Sequence, residues 1–599
     1  MSNLMASFNA GVSGLSSAQT SLTTTAHNLA NARTEGYTRQ QVMVTDSFYQ
    51  NSKGRYDNLL QVGTGTVVAL TRQVRNNFLD AQYRVQLGRQ SFYEANQKAT
   101  MEIQDMLGEL QGEEFSGYIN SLYAAFSALS NSADSLVNKE EVVSVASQFL
   151  ESATVLQQQL NTYQTSLNTE VSKQVQSIND IVTQIKDYNQ LIRKYEAVGE
   201  SANDYRDKRN ELLDQLGQYI TYDVTEESDG TVMIYSNGGY LLDQNTQYFL
   251  ATAYESDTSK LLKPVWQQGD DFFINDSLAY SSANNTDIGS LKGLMVARGN
   301  YSAKYTDCPV KPTEDQFKDE NGVVDRLAYN LALDDYQKQL DVYNDSVGAS
   351  VIMTVQCQLD TLVNRVVTMI NDALCPNKEI QIQDADGNTK TIHVLDEENA
   401  LIGDDANKTM GTELFARRSC ERYTKQTVNV VNEDGTVSQQ EVMVYNEEDA
   451  SDPYSLYTLN QLVINPTILQ DASTLPTMYN DNSEFRGGYA FNEILAIANA
   501  FNNDIGTLDP NSETTYNVFN FYNGMVSQLS TTGNVWNSIV ENQELTVSSL
   551  EDERQKVMGV SSEEELSNLI KFQQCYNASS RYITTVSEML EYLIERLGS

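Results

Sequence analysis

The sequence predicts an α+β protein in which long terminal and body helices form a coiled-coil stalk, with a mainly β domain inserted between them and projecting outward. Two observations predict this. Apolar residues recur every seven positions at both ends of the chain, and the period shifts to two across the middle. Phe8, Leu15, Leu22 and Leu29 form the first seam, and Leu569, Tyr576, Ile583, Leu590 and Leu597 form the second. Met5, Val12 and Ala26 are expected at alternate positions of the first seam, and Leu566 and Ile594 at those of the second. Helices patterned in this way need partners, most simply each other, so the chain leaves and returns to one coiled-coil end.

The first helix carries no Asp, Glu, Lys or Arg before Arg33. Gly11 and Gly14 each cost roughly 1 kcal/mol in a helix interior, so its order must come from packing. An uncharged flank suits a subunit enclosed by copies of itself better than a solvated surface helix. Residues 78–110 and 135–197 read as long helices, the second with Leu160, Tyr163, Leu167, Val171, Ile178, Ile181, Ile185, Tyr188 and Ile192 on one face. The four-residue step from Leu167 to Val171 is a stutter in that pattern. Another helix begins at Asp204 and reaches Leu216. From Tyr219 the runs TVMIYSNGGYLL, IQIQDADGNTKTIHVL and QTVNVVNEDGTVSQQEVMVY each set a Gly-containing turn between β-rich arms. Helical stretches interrupt this middle around 326–347 and 350–374, and helix periodicity returns from Phe491. The expected division is a terminal coiled-coil domain of residues 1–45 plus 560–599, a helical body of 46–217 plus 485–559, and a mixed, mainly β outer domain of 218–484.

The 599 residues include 81 acidic and 40 basic side chains, a net charge of -41 that excludes nucleic acid and anionic membranes as partners. No apolar run approaches the ~20 residues of a membrane-spanning helix. The start lacks the basic and apolar regions of a secretory signal peptide, which taken alone predicts a cytoplasmic protein. Cys308, Cys357, Cys375, Cys420 and Cys575 are odd in number and irregularly spaced, so free thiols are expected. His27 is followed by Asn28, and His393 lies in a predicted strand, so neither opens a zinc motif. Asp384 to Asn388 begins like a calcium loop, but Thr389 stands where glycine is required, and a hairpin explains the run better. No catalytic residue, metal ligand set or cofactor site is expected.

The stretch HNLANARTEGYTRQ, from His27 to Gln40, closes the first helix. Asn31 is suited to end that helix in a left-handed conformation, Gly36 to supply a positive φ, and Tyr37 to anchor the emerging chain. With Asn28 and Thr34, these residues resemble the signature shared by flagellar rod, hook and hook-associated proteins. The runs Val62 to Arg84, Ser201 to Ile220, Leu462 to Asp471 and Ser561 to Ile594 are similar to hook-associated members of that family, whereas residues 300–350 and 420–450 resemble no part of it. The resemblance implies a non-enzymatic structural subunit forming the junction zone between hook and filament. It implies export through the flagellar channel without cleavage, and hence an extracellular address. The implied partners are copies of itself, hook protein below, the next hook-associated protein above, and an export chaperone on the carboxy-terminal helices. The alternative is another axial protein: hook protein, the third hook-associated protein or a flagellin.

Overall fold

The structure is a computed structural model that describes residues 2–34, 36–53, 59–107, 115–244, 246–274, 277–318, 322–384, 388–432, 436–480 and 487–597. Helix α1 (Ser2–Ala30) leads into a two-stranded arm built from β1 (Gln40–Asp46), β2 (Tyr49–Lys53), β3 (Leu59–Gly63) and β4 (Thr66–Gln73). In it β1 pairs antiparallel with β4, and β2 with β3. Helices α2 (Asn77–Leu107), α3 (Phe115–Asn131), α4 (Leu136–Glu196) and α5 (Asn203–Tyr219) follow. The sequence-predicted helices thus appear within a few residues of their expected limits; residues 108–110 lie outside the described ones.

The middle opens with an antiparallel meander of β5 (Asp223–Glu226), β6 (Val232–Ser236), β7 (Gly239–Asp243) and β8 (Thr246–Gln247), followed by the pair β9 (Leu250–Tyr254) and β10 (Leu262–Trp266). Helices α6 (Ser290–Arg298), α7 (Arg326–Asp345) and α8 (Val351–Leu374) come next. Strands β11 (Asn377–Gln383) and β12 (Thr389–Leu395) precede the short β13 (Leu401–Ile402) and β14 (Phe415–Arg417), then β15 (Tyr423–Val431) and β16 (Val437–Tyr445). The order β11-β12-β16-β15 closes a small barrel. Its two hairpins are those expected from the sequence, although their tips, residues 385–387 and 433–435, lie outside the described residues. The chain ends with α9 (Pro466–Gln470), α10 (Phe491–Ala500), α11 (Val518–Met558) and α12 (Ser562–Leu597).

At 1.5 Å per residue α4 is about 90 Å long, and it serves two cores. Its first half, to Leu160, packs with α3, α8, α10 and α11, and its second half, from Val171, packs with α5, α6 and the β5–β8 sheet. Between them Gln164 turns inward, and its amide donates to the carbonyls of Arg298 (2.8 Å) and Tyr301 (2.9 Å). The heptad stutter at 167–171 falls where the helix changes core, because a four-residue step rotates the apolar stripe toward a different partner. Helix α8 is buried along most of its length in the first core, so a segment from the middle of the sequence packs among helices from both ends.

The cysteines depart from the expectation of free thiols. Cys308 and Cys357 form a disulfide, while Cys375, Cys420 and Cys575 are free. Backbone N–H groups of Ala303 and Tyr305 donate to Gln356 Oε1 (3.1 Å) and Asp360 Oδ2 (3.0 Å), laying the loop after α6 on the first turns of α8. That tertiary contact brings together two cysteines 49 residues apart.

Candidate assembly site

Helices α1 and α12 pack against each other along their length. They run antiparallel, since Gly11 faces Ile583, Gly14 faces Ser579 and Asn28 meets Glu565. Phe8, Leu15, Leu22 and Leu29 are half-buried on α1, as are Leu569, Tyr576, Ile583 and Leu590 on α12; the side chain of Leu597 lies outside the described ones. The alternate positions were misassigned from the sequence. Met5, Val12, Ala26, Leu566 and Ile594 are exposed. On α12 the second line of the seam is Phe572, Ser579, Val586 and Leu593, each three residues after a member of the first, as an alternating 4-3 step requires. On α1 the line is Gly11, Ala18 and Thr25, all buried, with Gly14 beside it against Ser579. A Cβ built at Gly11 would lie 2.8 Å from Ile583 Cγ1, so the glycine permits close approach of the two helices. Ser and Gly in the seam hid it from a search for apolar residues.

Part of the uncharged flank of α1 is covered by the chain's own β arm, while Asn9, Val12, Ser16, Gln19 and Thr23 stay exposed. Thr66 N–H donates to Ser13 Oγ (3.1 Å), and the hydroxyls of Ser17 and Thr66 are 3.1 Å apart. Serines, unlike charged side chains, can be covered at the cost of one local hydrogen bond each. The remaining surface carries large apolar residues among its polar ones. Met5, Val12, Leu566, Ile570, Tyr582, Met589, Tyr592 and Ile594 on the helices, and Phe48, Tyr49, Val67 and Leu70 on the arm, are all exposed.

The end of α1 is tied to everything around it by Asn28, which is 1% exposed. Its Nδ2 donates to Gln40 O (2.9 Å) and Glu565 Oε2 (3.1 Å), and its Oδ1 accepts from Gln40 N–H (3.0 Å) and Tyr37 O–H (2.8 Å). One side chain with all four hydrogen-bonding capacities used thereby fixes the start of α12, the start of β1 and the signature loop. Tyr37 stacks edge-on against His27, and burial pushes its hydroxyl pKa up. Gly36 has the expected positive φ, at 73°. Asn31 does not adopt the left-handed conformation expected of it. Its Nδ2 donates to His27 O and its Oδ1 accepts from Thr34 Oγ1, both at 3.1 Å, closing the helix through side-chain bonds instead.

Below this loop Thr38 N–H and Gln73 Nε2 donate to the two oxygens of Asp207 at 3.1 and 2.6 Å. Burial raises the Asp207 carboxyl to about 6, against the lowering effects of the Thr38 hydrogen bonds and the Arg75 charge. Arg39 N–H caps α11 by donating to Met558 O (2.8 Å), and the Arg39 side chain pairs with Glu564 (2.8 Å). A buried ion network continues inward. Arg554, over the ring of Tyr83, pairs with Asp80 (2.9 Å) and Asp214 (2.7 Å), Asp80 also pairs with Arg75 (2.5 Å), and Asp214 with Arg84 (2.6 Å). These residues join α2, α5 and α11. Sequence reasoning missed them because charged residues are ordinarily solvated; the signal for Arg75, Asp80, Arg84 and Asp214 was their placement inside the two blocks at Val62 to Arg84 and Ser201 to Ile220, and Arg554 lies outside both.

Among the described residues no group of three or more His, Cys, Asp or Glu side chains is placed to hold a metal ion, and no helix is long and apolar enough to cross a membrane. The geometry is that of a packing surface. Comparison with known proteins matches residues 100–371 to the family described as flagellar hook-associated protein FlgK helical domain. Residues 8–38 match flagella basal body rod protein, and residues 555–596 match flagellar basal body rod FlgEFG protein C-terminal. The chain is 23% identical to flagellar hook-associated protein 1 of Bacillus subtilis, over 98% of this chain and 96% of that one. It is 22% identical to the proteins of the same name from Salmonella typhimurium (98% and 99% covered) and Escherichia coli (98% and 98%). The solved flagellar hook junction protein FlgK from Burkholderia pseudomallei aligns with a TM-score of 0.49 at 13% identity, covering 80% of this chain and all of that one.

Proposed function

We propose that the chain, which is similar to the flagellar hook-associated proteins over nearly its full length, polymerises through its terminal helix pair into the junction zone between hook and filament. It is a structural component of the bacterial flagellum. The observation that carries the assembly reading is the poverty of burial at the termini. Among the described side chains of α12, only Glu565 and Val586 are buried, while large apolar residues line its outer face. A helix of this length with so little cover draws its order from neighbours.

In this reading the seam of Phe8, Leu15, Leu22, Leu29, Leu569, Tyr576, Ile583, Leu590 and Leu597 holds the terminal unit, residues 1–45 plus 560–599, together as the inner layer. The helical body of 46–217 plus 485–559, with α8 packed into its core, makes the next shell, and the rest of 218–484 faces outward. Asn28, Asn31, Thr34, Gly36 and Tyr37 set the angle at which the chain leaves that layer. Copies of the chain lie beside it, hook protein below and the next hook-associated protein above. Before assembly an export chaperone covers the apolar stripe of α12, and the chain reaches the cell exterior uncleaved. The role is architectural, without catalysis.

The test is complementation of a strain lacking the protein with Ile570→Glu and Tyr592→Glu variants, read by electron microscopy of detached flagella. Both residues are exposed in the single chain, so the monomer should melt unchanged while hooks lack filaments and filament protein is lost to the medium. Full filaments with either variant would remove the assembly role from this face.

A further inference from the structure

A cleft of about 250 Å³ opens between α2, α5 and the β5–β6 hairpin, against the ion network, whose Asp80 and Arg84 line one side of it. Two guanidinium groups line it, one on each helix. Arg84 uses Nε on Asp214, and its two terminal nitrogens make no hydrogen bond among the described residues. Arg209, 1% exposed, directs Nη1 to Asn189 Oδ1 (3.1 Å) and Gly230 O (2.6 Å), while its Nε is buried without a partner. Its nearest carboxylate, Glu226, is 3.6 Å away and already bonded by Arg206. Burial pushes the Arg209 guanidinium down to about 10, because Glu226 offsets only part of the lost solvation.

Of the acids nearby, Asp80 and Asp214 are committed elsewhere, and the other carboxylate of the lining besides Glu226, Asp223, is exposed. Both oxygens of Asp80 are taken by Arg75 and Arg554, and both oxygens of Asp214 by Arg84 and Arg554. Asn77 and Asn210 add two amides to the lining. Inside the cleft, away from the exposed Asp223, the groups left over are therefore the Arg84 terminal nitrogens and Arg209 Nε, donors fixed on two helices in the arrangement that binds oxyanions through several N–H groups at once.

We propose that this cleft binds a small oxyanion with two or more acceptor oxygens, supplied either as a free inorganic anion or as the carboxylate of an acidic side chain on a second copy of this chain. The ligand would lock α2 to α5 behind the signature loop. The free-anion source stands whatever the chain assembles into; only the second source rests on the assembly reading.

The experiment titrates the full chain with sodium phosphate and sodium sulfate against sodium chloride at matched ionic strength, by isothermal calorimetry and thermal melting. Saturable binding with a rising melting temperature is expected, as for any ligand that binds the folded state. Arg84→Gln should weaken it at least tenfold. Since that variant also loosens Asp214, Asn77→Asp serves as the second: Asn77 is exposed and outside every ion pair, and a carboxylate there should repel the anion. No saturable binding, or undiminished binding by Asn77→Asp, overturns the proposal. Sedimentation of self-assembled chain then separates the sources: dissociation by phosphate assigns a neighbour's carboxylate, and indifference with saturable binding assigns the free anion.

Discussion

Two antiparallel helix pairs of similar geometry lie in succession, α1 with α12 and α2 with α11, yet they are held by different forces. In the second pair Asp80 meets Arg554 and Tyr522 reaches Leu107 O, and ten residues of α11 are buried, Phe521, Met525 and Trp536 among them. That pair is roofed by α3, α6 and α8 and clamped by a buried ion network. In the first pair the seam is half-buried, small residues set the spacing, and the outer faces stay open. Pairing alone does not make a core: a helix pair gains independent stability only when a third layer excludes water from its sides.

The largest effect should come from breaking the clamp of the second pair. Arg554→Ala leaves Asp80 and Asp214 undercompensated in buried surroundings and should cost the isolated chain about 3 kcal/mol, with Arg75 and Arg84 limiting the loss. Urea unfolding of the monomer measures it, and an unchanged midpoint would show that the network contributes nothing. Between the pairs, Asn28→Asp replaces two donors by a carboxylate facing Glu565 and the Gln40 carbonyl, which should cost about 2 kcal/mol. Hydrogen exchange should show the loss confined to the signature loop and the start of α12; a loss spread through α2 and α11 would mean the two pairs unfold as one.

Leu590→Ala should do less to the monomer. A fully buried leucine costs ~2–5 kcal/mol, and this one is half-buried, so a loss of about 1 kcal/mol is expected alongside a sharp fall in incorporation at the hook tip. A large drop in monomer stability with normal attachment would place Leu590 in an internal core. The smallest effect is acidic. Asp207 is raised to about 6 from 3.8, Asp360 to about 6 and Glu413 to about 7, each mainly by burial. A raised acid contributes stability that is fully present below its ordinary pKa and lost as pH rises through the folded value. Melting temperature should therefore increase on acidification from about pH 8 to about pH 6, and Asp207→Asn should reduce that slope. A fall over the same range would show that these carboxyls are better solvated than their burial indicates.

Much of this was legible in advance. The heptads at Leu15, Leu22 and Leu29 and at Ile583 and Leu590 announced both terminal helices, and the Asn-Gly and Asp-Gly runs announced the hairpins, because periodicity and turn chemistry are properties of neighbouring residues. The half of the α12 seam at Phe572, Ser579, Val586 and Leu593 was readable too, had the three-residue step been followed through a serine. The role of Asn28 was visible only as part of a pattern.

By itself the sequence determined which segments are helices, which are hairpins, that the two ends pair, and that the middle changes period. Only the tertiary structure decided that the serines of α1 lie beneath the β arm, that Cys308 meets Cys357, that α8 joins a core with helices from both ends, and that Arg554 is buried among carboxylates. The physical reason is the range of the forces. A local pattern marks which face of an element seeks cover, whereas the identity of the cover depends on the closure of long loops, and a charged side chain shows its burial only when its partner arrives from a distant part of the chain.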